Sequence, residues 1–420
     1  MARSTVDEEL SQAKRLQPWV LVLAILGAAM ASAEIISGSM LPLIASGLNT
    51  TEGMAGQAVT ATAIVAIITS LSIGKIVGNH DRRLMLIILT CFLVASNIGV
   101  GLAPNIWFLL AARLLLGAAI GIIWGLIPAI VLRLAPKGQF ARSFATVMIG
   151  VAAASVVGAP ASAYIGEVVS WRVVYLGATA LAVLALVLLV LVFPPLPARP
   201  GALDRDLKGT LRLPGMVIGM FAIMLLFGGA QTFYGYMVPF LNDITGLNAT
   251  AVSFTLLMLG ISGLFGTISA PRTLSKSIYG VMVIAPASLA ILLWLMLSVR
   301  TLAIPVVLVL MLWSFARAHM GVGVNAWIAD SFAENVEGAG GILVAVIQGS
   351  MMLGAILGGL LIDNTGATAP PIAGAIIIGV GALFSVWALR PASVDALGEE
   401  LASPIISIPP APLVVQDEPA

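Results

Sequence analysis

The chain has few charges, very few histidines and a single cysteine. Of its 420 residues only 9% are charged, 2 are histidine and 1 is cysteine, Cys91. A lone cysteine excludes a disulfide within the chain, and His80 and His319 are too few for a histidine-rich metal site. The 20 basic and 19 acidic residues leave a net charge of +1, so nothing in the charge balance indicates a nucleic-acid partner.

The motifs of several enzyme classes are also missing. The sequence contains no His-Glu-x-x-His, no Gly-x-Ser-x-Gly and no Walker lysine loop, so a hydrolase or an ATP-driven pump would lack its parts. The stretch Gly321-Val-Gly-Val-Asn-Ala326 has glycines spaced as in a dinucleotide turn, but no strand precedes it. No loop is long enough for the extramembrane domain of a receptor. A membrane-embedded enzyme and a receptor are therefore the less favoured classes, and no cofactor is expected.

Apolar residues are abundant. Hydrophobic side chains make up 60% of the sequence, and the mean hydropathy of +1.09 lies far above that of soluble domains. Twelve windows are long enough to cross a bilayer as helices of about 20 residues or more. They lie near 18–46, 54–78, 84–103, 105–134, 141–167, 171–193, 213–241, 250–272, 278–298, 301–330, 337–363 and 367–390. The predicted fold is an all-α polytopic membrane protein with twelve transmembrane helices.

The windows form two sets of six, separated by a proline-rich, charged stretch that begins Pro194-Pro-Leu-Pro197. The apolar run after the N-terminal segment is too long for the core of a cleavable signal, and the C-terminal tail is rich in proline and small residues, which is typical of disorder. The predicted order is an N-terminal segment (1–17), a six-helix bundle (18–193), a linker (194–212), a second six-helix bundle (213–390) and a tail (391–420).

Basic residues predict the orientation of the chain. Between the windows and at their ends, they fall almost entirely on the side that holds the N-terminus, against Arg172 and Arg300 on the other side. Because basic loops stay in the cytoplasm, both termini and the linker are predicted to be cytoplasmic.

The two sets of helices are related to each other. Ser39-Met-Leu-Pro-Leu-Ile44 recurs as Tyr236-Met-Val-Pro-Phe-Leu241, 197 positions later, and on this register Glu34 falls on Gln231. The matches are short but agree within one residue along the chain, which predicts duplicated halves. Repeated halves around a midplane cavity are typical of a transporter that works by rocking.

One acid, Glu34, interrupts the first window, which is otherwise free of charge. Acids within transmembrane helices are rare and are functional by default. Burial disfavours the charged form of a carboxyl group, so such an acid can exchange a proton near neutral pH, unlike a surface acid. The alternative is an acid held permanently neutral or paired for packing.

Arg113 in the fourth window lies at a depth similar to that of Glu34. We expect the two side chains to meet and to form a proton-coupled gate, in which deprotonated Glu34 holds Arg113 and protonated Glu34 releases it. The alternative is a static pair that fixes the bundle.

A second polar locus is predicted in the tenth window. Arg317 and His319 lie about 200° apart around a helix, so they do not face one cavity together. Arg317 is the stronger candidate for substrate binding because a fixed charge faces lipid only at high cost, whereas His319 is equally well explained by a hydrogen bond inside the bundle. Aromatic and amide side chains suit a nucleobase, although each one is also explained by packing or by the membrane interface. The candidates of this kind are Trp124, Gln231, Tyr234, Asn325, Trp327 and Gln348.

Short motifs identify a family resemblance over nearly all of 18–390. The stretch Gly74-Lys-Ile-Val-Gly-Asn-His-Asp-Arg-Arg83 resembles the loop motif Gly-x-x-x-Asp-x-x-Gly-Arg-Arg/Lys of the major facilitator superfamily, but it has Gly78 in place of the acid and Asp81 in place of the second glycine. Arg113 with two glycines at spacings of four resembles that family's Arg-x-x-x-Gly-x-x-x-Gly motif, and the fifth window resembles the signature of its drug:proton antiporter branch. The resemblance implies gating or conformational roles for Gly74, Asp81, Arg82, Arg83, Gly117, Gly121, Gly158 and Pro160.

Within that branch the chain resembles the bacterial purine ribonucleoside efflux pumps most, on Glu52-Gly-Met-Ala-Gly-Gln-Ala-Val-Thr60, His80-Asp-Arg-Arg83, and Val344-Ala-Val-Ile-Gln348 with Leu361-Ile-Asp-Asn364. The resemblance implies a monomeric antiporter in the bacterial inner membrane. It would export purine ribonucleosides by alternating access, with the proton gradient in place of a cofactor and with substrate, protons and the bilayer as its partners. A sugar or drug exporter is the alternative. Arg317 and His319 stand where apolar or small residues are expected.

Overall fold

A computed structural model of the chain describes residues 17–198 and 207–388. The predicted N-terminal segment, the middle of the linker and the predicted tail lie outside these residues, except for Gln17. The described residues form helices and short connections, with no strand among them. Twelve of the helices in this part of the chain are long and apolar enough to cross a membrane. The predicted all-helical, twelve-span fold is confirmed.

We number these twelve helices α1 to α12. In the first half they are α1 (Pro18–Ser39), α2 (Glu52–Leu71), α3 (Arg82–Gly101), α4 (Ile106–Leu134), α5 (Phe140–Val168) and α6 (Trp171–Leu191). In the second half they are α7 (Met216–Tyr234), α8 (Ala249–Leu274), α9 (Ile278–Ser298), α10 (Ala303–Ser331), α11 (Val336–Thr365) and α12 (Ala369–Ala388). Short helices extend α1 (Leu41–Gly47) and α2 (Ile73–Val77), and another, Leu207–Leu211, ends the linker.

Polar side chains start several of these helices. Thr51, Asn105 and Asn248 each accept a hydrogen bond from the backbone N–H three residues later, at the starts of α2, α4 and α8. These caps satisfy N–H groups that have no partner within the helix. Between their ends the spans bond most of their backbone groups within the helix, because the hydrocarbon core of a bilayer offers these groups no partner.

The duplication predicted from the sequence is visible in the structure. Helix α1 breaks at Met40 and α7 breaks before Met237, at equivalent positions of the repeat, each two residues before a proline. On α3, Arg83 donates to the carbonyl of Val190, and 196 residues later Tyr279 donates to the carbonyl of Val386. Each half therefore joins its third helix to its sixth in the same way.

Glycines let the helices within a half approach closely. A Cβ atom on Gly121 would lie 2.4 Å from the carbonyl oxygen of Ala66, and one on Gly150 would lie 2.2 Å from that of Ala24. Both distances are shorter than any real contact, so α4 on α2 and α5 on α1 pack backbone to backbone. Each half also has a large apolar core, and the core of the first half extends onto α8 and α10 through Ala270, Leu274, Val322 and Ala326.

The two halves meet most closely at one end of the bundle. We call it the linker side, because the Leu196 N–H donates there to Asp81 at the start of α3, and Arg133 near the end of α4 donates to the Pro197 carbonyl. There α11 lies against α2 and α4: a Cβ atom on Gly340 would lie 2.4 Å from the carbonyl oxygen of Gly125, and one on Gly341 would lie 2.4 Å from that of Ser70. The space between the halves is therefore closed at the linker side.

Candidate functional site

The structure gives Arg113 partners that differ from the expected one. Arg113 is buried, with 1% of its surface exposed. Its Nη1 donates to the Ala33 carbonyl at 3.3 Å, and its Nη2 donates to the Tyr175 hydroxyl at 2.6 Å. The guanidinium also lies 4.9 Å from the centre of the Tyr175 ring. Arg113 and Glu34 form no salt bridge within 4.0 Å. The expected direct contact between the two side chains is therefore absent, and Arg113 binds a carbonyl and a tyrosine instead.

The contacts of Arg113 explain why it forms no salt bridge with Glu34. Arg113 bonds to the backbone one residue before Glu34 and reaches past it to α6. Glu34 is half-buried in α1, and its carboxyl forms no salt bridge with any residue of the described part of the chain. The Arg113 guanidinium lies near this residue, because it donates to the carbonyl of the preceding residue, Ala33. Glu34 is therefore an acid of a transmembrane helix with a fixed cation close by and with no ion-pair partner among the residues that the structure describes.

Arg317 lies in an aromatic cluster of the second half. Its guanidinium carbon is 5.2 Å from the ring centre of Tyr234 on α7 and 6.0 Å from that of Trp313, one turn earlier on α10. The Tyr234 and Trp313 rings are stacked, with centres 6.4 Å apart and planes 15° from parallel. Arg317 and Tyr234 are exposed and Trp313 is buried. Sequence reasoning missed Trp313, although its position four residues before Arg317 places both on one helical face.

His319 faces away from this cluster. It is buried, its Nδ1 lies 3.1 Å from the Phe315 carbonyl oxygen, and its Nε2 lies 3.4 Å from the Ser269 hydroxyl on α8. Its ring also packs on that of Phe315, at 4.6 Å between centres. Both ring nitrogens thus have partners, which favours the hydrogen-bonded alternative over substrate binding.

The other predicted binding residues are dispersed. Gln231, Gln348 and Asn325 are half-buried, and Asn325 donates to the Gly321 carbonyl of its own helix at 3.0 Å. Trp124 is half-buried and packs on the core of the first half, whereas Trp327 is 1% exposed and packs edge-on against Phe332. The structure therefore places Trp327 in a core, away from any accessible surface.

A buried ion pair joins the halves at the linker side. Arg82 at the start of α3 donates from Nη2 to Glu337 Oε2 at 2.6 Å and from Nε to Glu337 Oε1 at 2.8 Å. The side chains are 2% and 15% exposed. The Nη1 of Arg82 also donates to the carbonyls of Gly78, at 3.1 Å, and His80, at 2.7 Å. Gly78 takes a left-handed φ of 46°, which glycine adopts without strain.

Sequence reasoning did not find Glu337. It lies 255 residues from Arg82 in the chain and in the first turn of α11. An acid there is also explained as a favourable charge near a helix N-terminus, so its position alone does not single it out. In the structure this pair is the one salt bridge found among the described residues.

The neighbours of Arg82 bind the linker and the end of α6. Asp81 caps α3 by accepting from the Arg83 N–H at 2.7 Å, and both its oxygens lie 3.1 Å from the Leu196 N–H that donates to them. Arg83 donates to the carbonyls of Leu189, at 3.3 Å, and Val190. Asp81 therefore serves within its own half and does not bridge to α11.

The remaining motif residues have mixed roles. A Cβ atom on Gly117 would lie 2.5 Å from the Thr62 carbonyl oxygen, whereas one on Gly158 would meet no atom within 4 Å. Gly74 lies in the short helix after α2. Pro160 lies within α5, and its side chain is outside what the structure describes. No group of three or more potential metal ligands occurs in the described part of the chain.

Comparison with known proteins agrees with this architecture. A family model described as Major Facilitator Superfamily matches residues 22–316. The chain is 35% identical to the transcription regulatory protein OpdE of Pseudomonas aeruginosa over 378 residues, which are 88% of this chain and 93% of that protein. It is 32% identical to the purine ribonucleoside efflux pump NepI of Salmonella paratyphi B over 357 residues, which are 84% of this chain and 88% of that protein.

Solved structures share the fold at low sequence identity. The proton:xylose symporter XylE, bound to 6-bromo-6-deoxy-D-glucose, superposes with a TM-score of 0.76 at 16% identity, covering 90% of this chain and 98% of that one. The human organic anion transporter MFSD10 gives a TM-score of 0.69 at 13% identity, covering 88% and 99%. Since the family model matches well over half of the chain and relatives above 30% identity are covered almost completely, the chain belongs to the major facilitator superfamily.

Proposed function

We propose that this transporter is a proton-coupled antiporter that exports small solutes by alternating access, with purine ribonucleosides as the leading substrate class. The relationship to a purine ribonucleoside efflux pump supports the substrate class. The observation that supports the proton coupling is Glu34, an acid of α1 that has no ion-pair partner among the described residues and lies next to the Ala33 carbonyl that Arg113 binds.

The coupling step uses the contacts of Arg113. When Glu34 carries a proton it is neutral, and Arg113 rests on Tyr175 and the Ala33 carbonyl, as the structure has it. When Glu34 loses the proton, its negative charge attracts Arg113 away from these partners. Because the three side chains lie on α1, α4 and α6, this exchange changes how these helices pack.

The proposed orientation places the linker side in the cytoplasm of a bacterium, with both termini on the same side and the protein a monomer in the inner membrane. The distribution of basic residues supports it. The structure is then closed toward the cytoplasm, where Arg82 and Glu337 hold the two halves together. Opening requires that this ion pair break.

The test is transport by the purified protein in liposomes with an imposed pH gradient. Inosine, adenosine, guanosine, arabinose and a cationic dye are compared as substrates. In the Glu34→Gln variant we expect substrate exchange without a gradient to continue and gradient-driven accumulation to be lost. Glu167→Gln, which changes an exposed acid at the end of α5, is the matched control. Gradient-driven transport that survives unchanged in Glu34→Gln contradicts the proposal.

A further inference from the structure

Arg317 lies on the face of α10 opposite to a row of exposed apolar residues. The outer part of α10 exposes Ile304, Leu308 and Leu312 at intervals of four residues, with 75%, 55% and 56% of their surfaces accessible. This is the spacing of one helical face. Arg317 lies nine positions after Leu308, which is about 180° around the helix. It is nevertheless exposed.

Neighbouring residues agree with that direction. Val306, Leu310 and Trp313 share the helical face of Arg317, and each is fully buried. The opposite face of the same turn packs on α8 through His319. Helix α10 also contacts α4 and α5 of the other half. An accessible arginine on a buried face therefore lines an internal space between helices.

Arg317 has no counter-ion in the part of the chain that the structure describes: no acid among residues 17–198 and 207–388 lies within salt-bridge distance of its guanidinium. A permanent cation inside a membrane bundle is costly unless something pairs with it. Its contacts are instead with the faces of Tyr234 and Trp313, which fix the position of the guanidinium and leave its donors available.

We propose that Arg317 is the anion-binding part of the substrate site, so that the cargo carries a carboxylate or phosphate group attached to a planar ring. The guanidinium binds the anion through two parallel N–H donors. The accessible Tyr234 ring, 45% exposed, offers the planar part of the cargo a surface for stacking. This proposal rests on the proposed function, since it concerns the same transport cavity, and it narrows the substrate class from neutral purine ribonucleosides to anionic derivatives such as their monophosphates.

The test compares matched ligands that differ in charge. Binding of inosine and of inosine 5′-monophosphate to the purified full-length protein is measured by calorimetry, in the wild type and in Arg317→Gln, Arg317→Lys and the control Arg300→Gln, which changes an exposed arginine in a loop. We expect the monophosphate to bind more tightly than inosine. We expect Arg317→Gln to weaken monophosphate binding by about tenfold or more, Arg317→Lys to weaken it less, and Arg300→Gln to leave it unchanged.

Several outcomes decide the question. Equal wild-type affinity for the two ligands, or unchanged monophosphate affinity in Arg317→Gln, overturns the anion site, and the comparison in the wild type does so even where a variant does not fold. The result is independent of proton coupling. If the monophosphate binds through Arg317 but a pH gradient does not drive its transport, the anion site stands and the antiport proposal fails. If a pH gradient drives export of neutral nucleosides and Arg317→Gln is as active as the wild type, the antiport proposal stands and the anion site fails.

Discussion

Replacing Glu337 with glutamine removes one charge from the ion pair that joins the two halves at the linker side. The change keeps the size of the side chain and its position in α11, so it leaves the apolar packing intact. Arg82 then keeps its bonds to the Gly78 and His80 carbonyls but loses its anionic partner. We expect the equilibrium to shift from the state that is closed at the linker side toward the state that is open there.

The magnitude follows from burial and geometry. The pair is bidentate, with contacts of 2.6 and 2.8 Å, and hydrogen bonds to charged groups contribute about 1.5–3 kcal/mol each. Removing one partner of a fully buried pair costs about 3–5 kcal/mol, but the Glu337 side chain is 15% exposed and glutamine still accepts one bond. A loss of about 2 kcal/mol for the closed state is the central expectation, which corresponds to roughly a 30-fold change in the equilibrium.

The assay is a distance measurement between spin labels on the two halves. Cysteines at Lys137 and Ala333, both exposed at the linker side, carry the labels in a Cys91→Ser background. Glu337→Gln and Arg82→Gln are each expected to add a population at longer distance, and the exchanged pair Arg82→Glu with Glu337→Arg is expected to reduce it. Lys75→Gln, an exposed basic residue nearby, is the control. A distance distribution that is the same in Glu337→Gln as in the wild type refutes the reasoning.

Two further substitutions test the packing around the site. Tyr175→Phe removes the hydroxyl that accepts from Arg113 at 2.6 Å but keeps the ring beneath the guanidinium. We expect the unfolding free energy, measured by thermal denaturation, to fall by about 1–2 kcal/mol. Tyr164→Phe, whose ring is exposed, should show no such loss. Gly340→Ala places a methyl group 2.4 Å from a backbone oxygen of α4, so the spin labels should report a longer distance at the linker side. Gly177→Ala, at a position with space for a Cβ atom, should leave that distance unchanged. Equal distances in the two glycine variants would count against the packing argument.

Most of the fold could be predicted from the sequence, because a membrane restricts what a span can be. A helix that crosses lipid must be about 20 residues long and mostly apolar, so its limits are visible in hydropathy alone. The fourth predicted window, 105–134, and the ninth, 278–298, agree with α4 and α9 to within one residue. The repeat was visible because both halves keep a proline two residues after the break in their first helix.

The site was less predictable, because its contacts are distant in sequence and depend on rotation about helix axes. Arg82 was identified from its loop motif, but its partner Glu337 lies on the other half of the protein. Glu34 and Arg113 do lie near each other, yet the guanidinium reaches a carbonyl and a tyrosine instead of the carboxyl. Depth along a helix follows from residue counting, whereas the choice among partners at one depth is made by the helices around them.

The strength of the linker-side ion pair is limited by what cargo and protons can supply. A ligand shifts an equilibrium between two states only by the difference in its affinity for them, and coupling free energies of this kind are typically about 1–3 kcal/mol. The contribution of about 2 kcal/mol expected for the ion pair of Arg82 and Glu337 lies within that range. Each further pair of this kind would add to the free energy that opening requires, and the described residues show one, between Arg82 and Glu337. The glycine contacts of Gly340 and Gly341 supply a close fit without a further charge to separate, so under the proposed alternating access the pair of Arg82 and Glu337 is the charged contact between the described parts of the two halves that opening has to break.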